Sequence, residues 1–246
     1  MKLVKKNISK ASGASVSVKN IDVRNALSHE LRTPLAVIQG YADLLKEELE
    51  GDKDHLLQPI IESAGRLTSV IDNILEYESA PEDQRSDAMS CSVLDVVQNA
   101  VQRLSSSAQE KGIKMQLEIK GSDWKAITHE HHLDKAVIRL LDNAIKFTQA
   151  GSVRIVLDST AVSFSITIED SGVGIGSSSV DLFAPFAQGS SGLSREFSGL
   201  GLGLHLVQRA ANMMGGTVSL ADRPEGGARA QLKIARNLTS EFRKAA

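Results

Sequence analysis

Two apolar stripes with helical spacing follow one another near the start of the chain, and they restrict its fold more than any other feature. In both, apolar residues recur at steps of three and four positions, as they do along one face of an α-helix. The first stripe comprises Leu27, Leu31, Leu35, Ile38, Ala42, Leu45 and Leu49, and the second comprises Leu57, Ile60, Ile61, Ala64, Leu67, Ile71 and Ile74. Because the turn-like segment EGDKD, residues 50–54, separates them, the pattern predicts a helical hairpin.

Such a hairpin covers only one side of each stripe. A symmetric dimer would bury the remainder, because two hairpins together form a four-helix bundle. We therefore expect this part of the chain to form a homodimer.

The second half of the sequence mixes helical and strand patterns. Helical spacing covers residues 93–111, 133–147 and 204–214, with Ser92 and Gly112 placed to cap and end the first of these helices. Strand alternation covers residues 113–119, 153–157 and 162–168, with short strands near Val218 and Leu232. The order of these elements predicts an α+β chain, in which the helical hairpin precedes helices packed on one face of a mixed sheet.

The pattern changes at points that predict the domain boundaries. Residues 1–20 show no period and are expected to be a flexible lead-in, and residues 21–80 form the helical domain. Residues 81–91, with a proline, charges and serines, are expected to be a linker. Residues 92–236 then form the α/β domain, and residues 237–246 a tail.

The composition excludes several classes of protein. With a formal net charge of -2, one tryptophan and two tyrosines among 246 residues, the chain lacks the basic patch and stacking aromatics of a nucleic-acid-binding protein. No apolar run approaches the roughly 18 residues of a membrane span, and no apolar segment follows the basic start MKLVKK as in a signal peptide. The single cysteine, Cys91, suits a reducing compartment. These features predict a cytoplasmic protein without a membrane segment.

The octapeptide SHELRTPL, residues 28–35, places a histidine away from the first apolar stripe. At about 100° per residue, His29 lies roughly opposite the mean direction of Leu27 and Leu31, which argues against a core histidine. An ordinary solvated surface histidine is the alternative.

The neighbours of His29 favour a chemical role instead. Glu30 can hydrogen-bond one ring nitrogen and accept its proton while the other nitrogen attacks an electrophile. Thr33 lies one turn later on the same face, where its hydroxyl can hold a water molecule. Pro34 bends the helix just beyond, at a cost to its stability. A nucleophilic histidine of this kind requires a phosphoryl donor elsewhere in the chain.

The segment EDSGVGIG, residues 169–176, directly follows a strand and suggests a site for a base. Asp170 at the strand end can accept a hydrogen bond from an exocyclic amine, and Gly172 and Gly174 allow the backbone to approach a flat ring. A simple glycine turn is the alternative.

A second glycine-rich segment, SGLGLGLHLVQRAA, opens a helix. Its Gly199, Gly201 and Gly203 leave backbone N–H groups free at the positive helix end, which is a natural phosphate cradle. A Rossmann turn is the competing interpretation, but here the glycines follow a polar loop rather than a strand.

Two further segments complete the candidate site. In RLLDNAIKFT, residues 139–148, the Asn143 carbonyl oxygen is a ligand that Mg²⁺ accepts, and Lys146 can neutralise phosphate charge. A helix with a polar outer face is the alternative. The 22 residues between the glycine segments, 177–198, predict a structureless lid with Phe183 and Phe186 as anchors and Arg195 reaching a phosphate. Plain core packing is the alternative for the two phenylalanines.

Five of these segments, in this order, resemble the sequence boxes of the histidine protein kinases of two-component signalling. SHELRTPL resembles the H box, LLDNAIKFT the N box, DSGVGI the first glycine box, FAPF the F box and GLGLGL the second glycine box. The resemblance extends from residue 21 to about residue 234. It implies a helical-hairpin dimerisation domain, forming a four-helix bundle in the dimer, followed by an ATP-binding α/β sandwich of the type shared with DNA gyrase and a family of heat-shock chaperones.

The resemblance also implies a role for each matching residue. His29 would be the phosphoacceptor, Glu30 the base, and Thr33 the position that assists dephosphorylation of the partner. Asn143 would bind Mg²⁺, Lys146 and Arg195 the phosphates of ATP, and Asp170 the adenine amine. The nucleotide pocket and lid hinge would be shaped by Gly172, Gly174, Gly199, Gly201 and Gly203.

The implied function is ATP-dependent autophosphorylation of His29 in a homodimer, followed by transfer to an aspartate on the receiver domain of a response regulator. The family usually has asparagine four residues before Asn143, where this chain has Arg139, and arginine cannot bind Mg²⁺. Two alternatives follow from that departure: a degenerate kinase that acts as a scaffold, or an enzyme that works mainly as a phosphatase through Thr33. Histidines also cluster at positions 129, 131 and 132. A metal site is one interpretation of this cluster, and the capped start of the helix that follows is the favoured one.

Overall fold

The structure is a computed structural model and describes residues 31–42, 44–45, 54–78, 88–176, 180–187 and 200–237. The chain divides into two compact units, Met1–Glu76 with Ser198–Leu200, and Tyr77–Phe197 with Gly201–Ala246. His29, Glu30, Arg195 and Gly199 lie outside the described residues.

The described residues of the first unit lie in two helical segments, as the apolar stripes predict. Residues 31–42 (α1) and 44–45 are helical, and α2 spans Asp54–Glu78, with its last two residues in the second unit. The apolar side chains of α2 form two rows. Ile60, Leu67, Val70 and Ile74 are half-buried, whereas Leu57, Ile61, Ile71 and Leu75 are 41 to 62% exposed. The helical region of the predicted fold class is confirmed, and one apolar row of α2 is exposed.

The second unit contains the remaining three helices and seven strands of the described chain. The helices are α3 (Val93–Glu110), α4 (Glu130–Lys146) and α5 (Gly203–Met213). The strands are β1 (Met89–Ser92), β2 (Ile113–Lys120), β3 (Lys125–Thr128), β4 (Gly151–Ser159), β5 (Ser163–Asp170), β6 (Thr217–Asp222) and β7 (Ala228–Ala235). Five strands form a sheet in the order β2-β4-β5-β7-β6, with β2 and β4 parallel and the other pairs antiparallel. The predicted mixed sheet is confirmed.

Two short strands were not predicted from the sequence. β1 and β3 pair antiparallel, with Cys91 opposite Ala126, and both of these residues are buried. Residues 89–91 therefore belong to the folded domain and not to the linker expected over 81–91. Four residues are too few to show alternation, so the pairing partner and not the local pattern makes this segment a strand.

The hydrophobic core lies between the helices and one face of the sheet. Inward-facing side chains of neighbouring strands are fully buried, as Val153, Ile155 and Leu157 of β4 illustrate. Leu133, Val137, Leu140 and Leu141 of α4 pack in the same cluster. The helices thus lie on one face, and alternate strand residues point to the other face, where polar side chains such as Arg154 are half exposed.

The helix ends are formed by side chains that local sequence explains in part. Ser92 Oγ accepts a hydrogen bond from Asp95 N at 3.2 Å and caps α3 as predicted. Lys111, which follows α3, donates from Nζ to the Ile145 carbonyl oxygen at 3.1 Å, at the open carbonyl end of α4. This contact secures the end of α4 that adjoins the candidate site.

Arg236 closes the end of the sheet where β5 begins. Its Nη1 donates to Asp123 Oδ2 at 2.7 Å, its Nη2 to Ser159 Oγ at 2.8 Å, and its Nε to the Thr160 carbonyl oxygen at 3.1 Å. The guanidinium also lies 4.4 Å from the centroid of the Phe164 ring. One side chain therefore joins the β2–β3 loop, the β4–β5 turn and the end of β7.

Among the described residues, no helix is both long enough and apolar enough to cross a bilayer.

Candidate functional site

Asp170 occupies the opposite end of β5 and is held by only one of its carboxylate oxygens. Oδ1 accepts hydrogen bonds from Gly172 N at 2.9 Å and from Ala228 N at 3.1 Å. Oδ2 has no hydrogen-bond partner among the described residues, although the residue is only 7% exposed. A fixed, nearly buried carboxylate with one unused oxygen can accept a hydrogen bond from an amine in a ligand.

The loop after Asp170 is held from both sides. On one side, Val173 N donates to the Phe147 carbonyl oxygen at 3.4 Å, and a Cβ at Gly172 would overlap that same oxygen. On the other side, Ile175 N donates to Asp222 Oδ1 at 2.6 Å. Gly174 has a φ of 75°, and a Cβ there would lie 2.7 Å from Asp222 Oδ1.

These contacts change the explanation of the two glycines. The sequence suggested that Gly172 and Gly174 allow a flat base to approach the backbone. In the structure, the nearest atoms are those of Phe147 and Asp222, so the glycines allow the loop to pack against the protein. The loop is thereby placed beside the end of α4.

The outer face of α4 brings three of the predicted polar residues together. Arg139, Asn143 and Lys146 are spaced by four and three positions, and all are half-buried. Within the described part of the chain, the side chain of Asn143 has no hydrogen-bond partner. Lys146 Nζ lies 5.6 Å from the centroid of the Phe147 ring, next to the Phe147 carbonyl that receives Val173 N.

The start of α5 has the open backbone groups of a helix N-terminus. Leu206 N donates to the Leu202 carbonyl oxygen at 2.9 Å, which leaves the N–H groups of the first helical residues, from Gly203, without a partner within the helix. A Cβ at Gly203 would meet no atom of the described residues within 4 Å. Gly201 has a φ of 69°, and a Cβ there would overlap the Ala187 carbonyl oxygen.

Residues 180–187 are ordered as turns, which corrects the expectation of a structureless lid over this part of 177–198. Ala184 N donates to Asp181 O and Ala187 N to Ala184 O, at 3.1 and 3.2 Å. His205 Nδ1 lies 3.1 Å from the Phe183 carbonyl oxygen, and Phe186, with a φ of 63°, packs edge-on against Tyr77. Phe183 and Phe186 are half-buried, so they anchor the segment without joining the central core.

The predicted phosphoacceptor segment is described only in part. Thr33 is an exposed residue of α1, and Pro34 beside it is buried. His29 and Glu30, which precede α1, fall outside the described residues, so their predicted roles stay predictions.

Asp222 and Arg223 contact the site but were not identified from the sequence. They lie at the end of β6, and Arg223 Nη1 donates to the Asp170 carbonyl oxygen at 2.7 Å. The available signal was an aspartate and an arginine directly before the turn segment PEGG. Such a signal is common in ordinary hairpins and does not by itself indicate a site.

The histidine cluster provides neither a helix cap nor a metal site. His129 occupies the N-cap position of α4, but its side chain makes no capping hydrogen bond. The ring centroids of His129 and His132 are 5.7 Å apart, and no group of metal-ligating side chains occurs among the described residues. The expectation of a side-chain cap is therefore wrong. The helix begins at Glu130, within the histidine cluster and before the Leu133 at which its helical pattern was expected to start.

Among the described residues, Glu118, Arg154 and Cys91 of the second unit have shifted pKa values. Hydrogen bonds from Arg154 and Lys120 hold the pKa of Glu118 below its usual value on the open face of the sheet. Burial, and secondarily the charge of Glu130, raises the pKa of the Cys91 thiol. Arg154 also contacts Glu169, which in turn accepts from Arg229 Nε at 2.8 Å. These ion pairs alternate in charge from Glu118 on β2 through Arg154 on β4 and Glu169 on β5 to Arg229 on β7.

The unused groups fit a magnesium nucleotide. The Asp170 carboxylate suits an exocyclic amine, the amide oxygen of Asn143 is a hard neutral ligand, and the α5 N-terminus suits phosphate. Lys146 supplies a positive charge on the same face of α4 as Asn143.

Two family models match the sequence. Residues 128–238 match the "Histidine kinase-, DNA gyrase B-, and HSP90-like ATPase" family, and residues 25–83 match the "His Kinase A (phospho-acceptor) domain". The first covers α4, the glycine segments and the β6–β7 hairpin, and the second covers the helical hairpin.

Curated relatives carry related names. The chain is 34% identical over 219 residues to the signal transduction histidine-protein kinase BarA of Escherichia coli, an alignment that covers 82% of this chain and 23% of BarA. It is 31% identical over 211 residues to hybrid signal transduction histidine kinase A of Dictyostelium discoideum, covering 79% of this chain and 10% of that one. The chain thus spans a quarter or less of the length of these relatives.

Solved structures share the fold at lower identity. Histidine kinase AdeS of Acinetobacter baumannii superposes with a TM-score of 0.66 at 22% identity, over 85% of this chain and 98% of that chain. Histidine kinase ThkA in complex with the response regulator TrrA superposes with a TM-score of 0.65 at 17% identity, over 93% of this chain and 66% of that chain. The phosphoacceptor and ATPase family matches, with the relatives named histidine kinases, show that the chain belongs to the histidine protein kinases of two-component signalling.

Proposed function

We propose that the second unit binds ATP, that His29 is phosphorylated from it within a homodimer, and that the phosphoryl group then passes to an aspartate of a response regulator. The observation that carries the proposal is Asp170, a nearly buried carboxylate whose Oδ1 is fixed by two backbone amides and whose Oδ2 is unused by the described residues. A protein leaves such an acceptor unpaired chiefly where a ligand supplies the donor.

In this proposal each part of the site holds one part of ATP. Asp170 Oδ2 accepts the adenine amine, while Lys146, Arg195 and the α5 N-terminus bind the phosphates. The segments around Gly172, Gly174, Gly199, Gly201 and Gly203 shape the pocket and the lid hinge. Asn143 would hold Mg²⁺, which neutralises charge on the phosphate oxygens when bound.

Phosphorylation of His29 is a displacement at the γ-phosphorus. One ring nitrogen of His29 forms the new P–N bond as the bond to the bridging oxygen of ADP breaks, and Glu30 accepts the proton from the other ring nitrogen. In the second step, a carboxylate of the response regulator attacks the phosphorus and the P–N bond breaks. Phosphohistidine is high in energy, so this transfer is favourable.

The exposed apolar row of α2 supports the homodimer. Leu57, Ile61, Ile71 and Leu75 are spaced by four, ten and four residues, and Ala64 and Thr68 continue the same three–four repeat between them. Four large apolar side chains that are 41 to 62% exposed on one helix face are costly in water. A second copy of the hairpin would bury them and complete a four-helix bundle.

A response regulator is the proposed second partner because of family membership, and the fold neighbour ThkA is seen in complex with one. The domain boundaries enter the proposal as 21–80 for phosphotransfer and 92–236 for catalysis, with β1 added from Met89 to the catalytic domain.

A second candidate function is favoured by Arg139. It lies one turn before Asn143 on the same face of α4 and is half-buried, at a position where a Mg²⁺ ligand would be expected from the family resemblance. An arginine there cannot ligate a cation. In this alternative the chain is a degenerate kinase that binds its regulator, or acts as its phosphatase through the exposed Thr33.

Incubation of the full chain with Mg²⁺ and γ-labelled ATP tests both candidates. Acid-labile label that is absent from His29→Ala supports the autokinase, and Asp158→Asn, an exposed change on β4, serves as the matched control. If the parent chain acquires no label but Arg139→Asn does, the degenerate candidate is correct. Label that persists in His29→Ala contradicts the proposed phosphoacceptor.

A further inference from the structure

We propose that Asp222 and Arg223 of the β6–β7 hairpin are positioning residues that hold Asp170 for adenine and so set the selectivity of the nucleotide site. This inference rests on the proposed ATP site, because it concerns how Asp170 is presented to the base. The hairpin makes three hydrogen bonds to the strand end and loop that carry Asp170.

Asp222 fixes the far end of the loop that follows Asp170, residues 171–176. Its Oδ1 accepts from Ile175 N at 2.6 Å, across 47 residues of sequence. The same oxygen would lie 2.7 Å from a Cβ at Gly174, so the loop backbone passes directly over this carboxylate. Since the loop begins at Asp170 and is held at Phe147 on its other side, Asp222 determines its path.

Arg223 fixes the backbone of Asp170 itself. Its Nη1 donates to the Asp170 carbonyl oxygen at 2.7 Å, and its side chain is 20% exposed. Nε of Arg223 is buried without a partner in the described structure, so this guanidinium is oriented chiefly by Asp170 and by Glu225, 3.8 Å from Nη2. Gly227 allows this approach, because a Cβ there would overlap the Asp170 carbonyl oxygen.

The third hydrogen bond joins the same hairpin to the Asp170 carboxylate. Ala228 N, which donates to Asp170 Oδ1, belongs to the residue paired with Asp222 in the hairpin register. Backbone, carboxylate and following loop are therefore held by adjacent positions of one hairpin. With Oδ1 occupied by two amides, rotation of the carboxylate is restricted and Oδ2 keeps one direction.

The consequence is selectivity for the amine of adenine. A site with a fixed buried acceptor rejects an analogue that lacks the donor, because the acceptor then loses its only partner. If the hairpin contacts are removed, Asp170 can turn and find water or another donor. The preference for a nucleotide with the adenine amine over one without it then falls more than the affinity for the ribose and phosphates.

Calorimetric titration of the full chain with ADP and with purine riboside diphosphate, which lacks the 6-amino group, measures this selectivity as a ratio of affinities. The ratio of the two affinities does not depend on the fraction of folded protein. A variant that only lowers stability would therefore leave this ratio unchanged. We expect a wild-type ratio of about 10 to 100. Asp222→Ala and Arg223→Met should each lower it at least about fivefold.

Conservative variants separate position from charge. Asp222→Asn retains an acceptor oxygen and Arg223→Lys a donor, so both should keep the ratio within about twofold of wild type. Lys233→Gln, an exposed charge change on the same hairpin, is the matched control and should leave the ratio unchanged. An equal loss in Asp222→Asn and Asp222→Ala would show that charge is what matters and would overturn the proposal.

The outcomes distinguish this inference from the function on which it rests. A wild-type chain that binds neither nucleotide contradicts the proposed ATP site itself. A wild-type chain that prefers ADP, with an unchanged ratio in Asp222→Ala and Arg223→Met, overturns the role of the hairpin alone. If those two variants do not fold, amide exchange in nucleotide-free wild type decides: slow exchange at Ile175 and Ala228 supports the hairpin contacts, and fast exchange overturns them.

Discussion

The two ends of β5 differ in how completely their polar groups are used. At the Ser163 end, Arg236 donates from all three of its nitrogens to Asp123, Ser159 and Thr160, and its guanidinium stacks on Phe164. At the Asp170 end, the described residues leave Asp170 Oδ2, the Asn143 amide and Arg223 Nε without partners.

The difference separates a structural end of the sheet from a binding end. Buried polar groups are nearly always paired when they serve only the fold, since an unpaired one costs about 1–3 kcal/mol. The Arg236 end follows that rule. At the Asp170 end, the buried Nε of Arg223 departs from it, and Asp170 Oδ2 and the half-buried Asn143 amide add polar groups that a ligand could complete.

The largest expected effect is the loss of nucleotide binding in Asp170→Asn. Asparagine can keep an acceptor for Gly172 N and Ala228 N, but it presents an NH₂ group to the adenine amine where Oδ2 had been. We expect ADP affinity to fall by about 2–3 kcal/mol, measured by calorimetry, with little change in melting temperature. Asp123→Asn at the other end is the control and should leave affinity unchanged. Retained affinity in Asp170→Asn would place the base elsewhere.

Arg236→Met should show the reverse pattern. It removes at least three hydrogen bonds from a side chain that is only 13% exposed, so we expect the free energy of unfolding to fall by about 2–3 kcal/mol. Urea denaturation measures the loss, and ADP affinity of the folded variant should match wild type. Arg103→Met removes an exposed ion pair with Asp134 and should cost less than about 1 kcal/mol. Equal losses of unfolding free energy in Arg236→Met and Arg103→Met would show that the hydrogen bonds of Arg236 contribute no more to stability than an exposed ion pair.

Gly174→Ala tests whether the binding end depends on close packing. Gly174 and Gly226 both have positive φ, of 75° and 95°, so alanine at either should cost about 1 kcal/mol of stability. Only at Gly174 would a Cβ meet Asp222, whereas at Gly226 it would meet nothing within 4 Å. We therefore expect a fall of about tenfold in ADP affinity for Gly174→Ala alone. The same fall in Gly226→Ala would contradict this explanation.

The smallest effect concerns Glu118 on the open face of the sheet. Because Arg154 and Lys120 lower the pKa of Glu118 in the folded state, the folded chain binds fewer protons there than the unfolded chain. The stabilisation is present above the ordinary value of 4.5 and is lost as the pH falls through the lowered folded pKa. Arg154→Gln should therefore flatten the acid dependence of the urea midpoint. A midpoint profile identical to wild type would show that the ion pair contributes nothing.

Much of the fold follows from local patterns that the sequence displays directly. The helical stripes of α2 and α4 and the alternation in β4 and β5 repeat over enough residues to be recognised without a partner. Asp170, Asn143 and Lys146 were found because they lie in short, ordered boxes. Their proximity could not be worked out from spacing, since it depends on how α4 and β5 pack.

The periodic apolar patterns and the ordered polar boxes are thus what the sequence by itself determines: two helices, a mixed sheet with helices on one face, and the candidate nucleotide residues. Only the tertiary structure decides that β1 pairs with β3, and that Asp222 and Arg223 reach a loop and a strand end 47 and 53 residues away. The physical reason is that the spacing of apolar residues depends on the local backbone geometry of a helix or strand. The contacts of Asp222 and Arg223 depend instead on the strand order β5-β7-β6, which is set by packing of the whole core.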